Sequence, residues 1–155
     1  MSFHSKGFPE PEIYYQLDEV FYQFANSGSD IVISLANELK SKSQQAFHYL
    51  MEIEVYNSTK QKLQEVDLVA ILDGKVIFAE CKKTFSSFDK ELKDQILRYN
   101  NLLSKLPIKK FVIGCSEKNI ADSIKKNIRD HLPHGILVEF ITELFSIKNP
   151  PAAVT

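Results

Sequence analysis

Cysteine is scarce: only Cys81 and Cys115 occur, at no metal-binding spacing, and both read as buried thiols of a reducing compartment. No stretch approaches eighteen consecutive apolar residues, so a membrane-spanning helix is excluded and no membrane partner is expected. The first residues, Met1 to Gly7, lack the apolar core and small-residue cleavage site of a signal peptide, and the expected location is the cytoplasm. An excess of positive charge is missing too. Nineteen lysines and arginines meet 20 aspartates and glutamates, for a net charge of −1, whereas a protein that holds DNA by charge alone is usually more basic. A nucleic-acid function must therefore rest on a site, and the near-neutral balance points to a partner, a homodimer or a larger complex. There is no glycine-rich phosphate loop, no Ser/His/Asp constellation and no zinc pattern. His131-x-x-His134 straddles Leu132-Pro133 at a helix end, where capping or solvent contact explains it.

What is present is a chain of 155 residues, long enough for one domain with a real core. Residues 1–9 read as a flexible arm, 10–148 as the domain and 149–155 as a tail. Ile13, Leu17, Val20, Phe21 and Phe24 recur at helical spacing before Gly28. Ile31, Leu35 and Leu39 fit a second helix capped by Ser29 or Asp30, although Ile31-Val32-Ile33 also fits the start of a strand. Three strand-like runs follow at 46–56, 65–72 and 75–82, then a helix at 87–105, a buried strand at 110–115, a helix near 117–131 and a strand at 135–140. Hairpin-linked strands, a helix and further strands describe an α/β fold with a mixed sheet and helices packed on it.

Asp73-Gly74 is a two-residue hairpin signal, and it sets a register. With Leu72 opposite Lys75, Asp67 falls opposite Glu80 and Glu65 opposite Lys82. Partners and residues two apart share a face, so Glu65, Asp67, Glu80 and Lys82 should cluster at the open end of the hairpin. Both strands are otherwise apolar on both faces, as in a sheet interior. Facing carboxylates there repel and are costly to bury unless something pairs them. A hard divalent cation, Mg²⁺ or Mn²⁺, is the natural partner of Asp67 and Glu80, and the backbone carbonyl of Cys81 offers a further ligand. Lys82 would orient the attacking water or stabilise charge on a phosphate. The plain alternative is a surface salt-bridge cluster in which Lys82 neutralises Glu65 or Glu80.

Asp67, twelve residues, then Glu80-Cys81-Lys82 resembles the D…E-x-K signature of the PD-(D/E)XK nuclease superfamily, in a strand–turn–strand setting similar to that superfamily's core. Gln95 and Tyr99, four apart and on one helical face, resemble the Q-x-x-x-Y motif of its RecB-like members. The resemblance spans about residues 12–115. It implies a restriction-endonuclease-like fold and Mg²⁺-dependent hydrolysis of nucleic-acid phosphodiesters, DNA foremost, in repair or in defence against foreign DNA. It also implies that Gln95 and Tyr99 position metal ligands or DNA, and that an acidic residue from the first core helix joins the site. Glu19, nine residues before Gly28 as in Holliday-junction resolvases, and Glu38 are the candidates. Lys83, Lys90, Lys93 and Arg98 lie near the motif helix, where they would reach phosphates or serve as surface charge. A non-catalytic nucleic-acid-binding or assembly module is the alternative function.

Overall fold

The structure is a computed structural model that describes residues 28–145. The helix expected over 13–24, Glu19, the arm and the tail lie outside the described residues. Helix α1 spans Ser29–Ser41, which decides between helix and strand at Ile31: Ile31, Leu35 and Leu39 form one buried stripe. The expected side-chain cap is replaced by Gly28. Its φ of 82° turns the chain into the helix, and its carbonyl accepts the Ile31 N–H at 3.0 Å. The Ser29 hydroxyl instead donates to Glu52 at 2.7 Å.

Strands β1 (Phe47–Tyr56), β2 (Lys62–Leu72) and β3 (Lys75–Lys82) form an antiparallel meander. β2 starts three residues earlier than the apolar pattern predicts. The Asn57 side-chain oxygen accepts the N–H groups of Thr59 and Gln61, which closes the turn so that Tyr56 pairs with Lys62. At the next turn Asp73 and Gly74 both hold positive φ, 48° and 79°, as a type I′ hairpin requires. The Asp73 carboxylate also accepts the backbone N–H groups of Gln44, Gln45 and Ala46 at 2.8–3.0 Å, tying the hairpin tip to the segment before β1.

Helix α2 (Lys90–Leu103) is shorter than its apolar pattern because Asp89 caps it, accepting the Leu92 N–H at 2.9 Å. β4 (Lys110–Cys115) follows, then α3 (Asp122–Asp130) and β5 (Leu137–Ile141). The helix expected from 117 begins only at 122, because Glu117 is held as a tie: its carboxylate accepts the Phe85 N–H and its carbonyl the Glu143 N–H. The sheet order is β1-β2-β3-β4-β5, with β4 and β5 added parallel to β3. This is an α/β mixed sheet flanked by three helices among the described residues, none of them long and apolar enough to cross a membrane.

Alternation along the strands assigns the two faces. Leu68, Ala70, Ile77, Ala79 and Val112 pack under α1. Phe78, Phe111 and Ile113 pack under α2 and α3 with Ile96, Tyr99 and Ile128. α1 comes so close to β4 that a Cβ on Gly114 would stand 3.1 Å from Leu35 Cδ2 and 3.0 Å from Leu144 Cδ1.

Candidate active site

The Asp73-Gly74 turn sets the expected register from Leu72↔Lys75 through Leu68↔Ala79, and there the pairing of β2 with β3 ends. Asp67 and Glu80 are thus not ladder partners, and neither are Glu65 and Lys82. The reason is local. Opposite Asp67 in β1 stands Glu52, whose φ of 54° interrupts the β1–β2 pairing between Met51↔Leu68 and Ile53↔Val66. Leu68 packs on the α1 side while Val66, two residues away, joins the α2 side, so β2 turns about Asp67. Past that point the Asp67 carboxylate takes the Cys81 N–H at 2.6 Å. A side chain stands where a ladder bond would continue.

The strands open, yet the two carboxylates still meet. Asp67 stands close enough that its charge acts on the Glu80 carboxyl. Glu80 follows Phe78 on the face toward α2 and is only 3% exposed. Gln95 Nε2 donates to its Oε1, and the Tyr99 hydroxyl lies 2.7 Å from its Oε2 and 3.1 Å from the Glu65 carbonyl. The i, i+4 spacing on α2 therefore delivers one residue to each oxygen of a single carboxylate. Lys82, two residues on and on the same face, holds its Nζ 4.0 Å from Glu80 Oε1, too far for a tight ion pair.

Burial pushes the Glu80 carboxyl up to about 8, the Asp67 charge adds to this, and Tyr99, Lys82 and Gln95 only partly oppose it. Burial also raises Asp67, against the bond from Cys81. At neutral pH the pair retains a proton that two solvated carboxylates would release. A surface salt-bridge cluster would show the reverse.

The other candidates separate cleanly. Glu65 leaves the cluster: its carboxylate pairs with Lys62 at 2.8 Å, and Lys62 also holds Glu54 at 2.6 Å. Glu38 is exposed and pairs with Lys42, which reaches Glu139 on β5, three strands away from β2. It cannot serve this site. Cys81 contributes its N–H here, while its side chain packs toward α1, and burial raises its thiol. No group of three or more His, Cys, Asp or Glu side chains is gathered for a metal among the described residues.

The sequence gives little sign of Gln64. It is 6% exposed and accepts the Arg98 Nε–H at 2.9 Å, next to Glu65, whose carbonyl stands 3.1 Å from the Tyr99 hydroxyl. Its one signal is a glutamine between Leu63 and Val66 at a strand start. Gln64, Arg98, Lys62, Leu63, Glu65, Asp67 and Gln95 line a cleft of about 480 Å³ that leads to the carboxylate pair. No protein-family model matches the chain, and no curated protein matches it.

Proposed function

We propose that this chain is a metal-dependent nuclease with a restriction-endonuclease-like core, hydrolysing phosphodiester bonds of nucleic acid, DNA foremost. The observation that carries the proposal is the desolvated Asp67–Glu80 pair, held by Gln95 and Tyr99 at the end of an open cleft with a lysine alongside. A buried carboxyl that keeps its proton beside a half-buried carboxylate suits a hard divalent cation. Mg²⁺ in particular is commonly held by one or two carboxylates and completes its shell with water and substrate phosphate. Asp67 and Glu80 would hold it, and when bound it supplies Lewis acidity and a more acidic water.

The chain's own residues set the remaining steps. Gln95 and Tyr99 fix Glu80 in one orientation, which preserves its geometry through the displacement. Asp67 is fixed by the Cys81 N–H. Lys82 presents an ammonium beside the pair, suited to orient the water that adds to phosphorus or to balance charge on the phosphate oxygens as the P–O bond breaks. The purified protein is expected to cut single-stranded, double-stranded or branched DNA with Mg²⁺ or Mn²⁺ and to stop with chelator. Binding without cleavage under any of these conditions would favour a non-catalytic nucleic-acid-binding module instead.

A further inference from the structure

Arg98 lies one turn of α2 beyond Gln95 and is exposed at the rim of the cleft. It takes part in no ion pair among the described residues, whereas Lys62, the other cation lining the cleft, is bound by Glu54 and Glu65. Its Nε–H is donated to the buried Gln64 amide. That single bond uses one of five guanidinium N–H groups, fixes the plane of the fork and leaves the four terminal N–H groups for another acceptor. The Gln64 amide is in turn held by burial, being only 6% exposed. An exposed arginine whose plane is set by a buried amide is organised to receive something planar or tetrahedral and anionic.

We infer that Arg98 is a phosphate-binding residue of this cleft, seating the backbone phosphate next to the scissile one. The inference rests on the nuclease reading and deepens it: the substrate is a strand long enough to place a second phosphate along α2. Residues three apart on a helix stand about 5–6 Å apart. Arg98 is thus offset from Gln95 and the carboxylate that Gln95 holds, and acts on binding rather than on the bond being cut.

The test is steady-state cleavage of a DNA oligonucleotide with Mg²⁺, followed over a salt series for the parent, Arg98→Ala, Arg98→Lys and, as a remote charge loss, Lys126→Ala. Arg98→Ala should raise KM roughly tenfold with kcat within about twofold. The slope of log KM against log salt should fall by about one phosphate contact, roughly 0.7–0.9. Arg98→Lys should keep the slope but recover only part of the affinity, because an ammonium cannot bridge to Gln64 in the guanidinium plane. Lys126→Ala should match the parent. If the parent cuts and Arg98→Ala matches it in KM and slope, or loses kcat alone, the phosphate site is wrong and the nuclease reading stands. If the parent leaves every substrate uncut, both are wrong.

Discussion

At neutral pH the Glu80 carboxyl, raised to about 8 by burial and by the Asp67 charge, keeps its proton, and each of the two residues can be changed without changing its shape. Asp67→Asn keeps an oxygen to accept the Cys81 N–H and removes the charge that raises Glu80. Melting temperature without metal should therefore hold or rise, while cleavage falls at least about a hundredfold through lost ion positioning. Lys82→Ala should also lose most cleavage but keep Mg²⁺ binding, measurable by calorimetry. The sign of the pH dependence follows from Glu80. Its folded-state pKa, about 8, lies above the ordinary 4.5, so across that window the native state binds more protons than the unfolded chain. Stability without metal should then fall as pH rises from about 4.5 to 8, by up to roughly 1.4 kcal/mol per unit. Glu80→Gln should flatten this part of the profile in thermal melts. A profile just as steep in Glu80→Gln would show that the site is not its source.

At the scale of elements, α2 is the positioning device and the Asp73 turn is the anchor. Gln95→Ala should lower kcat less than Lys82→Ala does, because Tyr99 still holds one Glu80 oxygen. Tyr99→Phe keeps the packing against Phe111 and removes only the hydroxyl bonds. Asp73→Ala should lower the melting temperature by losing three backbone acceptor bonds and a residue tolerant of positive φ, whereas Asp73→Asn should lose less. These elements were also what the sequence disclosed best. Asp73-Gly74 sets the hairpin by local turn chemistry, and Gln95 and Tyr99 share a face by helical period alone. The opening of β2 at Asp67 was hidden, because it depends on Glu52 in another strand adopting a backbone state that its side chain does not advertise. Glu65 was misplaced in the hairpin cluster, and Glu38 near the site, for a related reason. A carboxylate takes whichever lysine the fold brings nearest, and Lys62 and Lys42 won.

Across the whole molecule, the sheet grows outward from the strands that carry the site, and Asp67 to Tyr99 lie on consecutive elements of the meander and α2. Millimolar Mg²⁺ should raise the melting temperature of the parent by ligand linkage and leave Asp67→Asn unmoved, as differential scanning fluorimetry would show. An unmoved parent would argue against Asp67 and Glu80 as ion ligands. The desolvated Asp67–Glu80 pair carries one more consequence, for protein engineering. Variants chosen for thermal robustness in the absence of a divalent ion should accumulate amides at positions 67 and 80, because each such exchange relieves the cost of desolvating a carboxylate that a bound ion would otherwise offset. Heat-based selection on this scaffold would thus erase its chemistry first and leave the fold behind, unless the selecting buffer contains the ion.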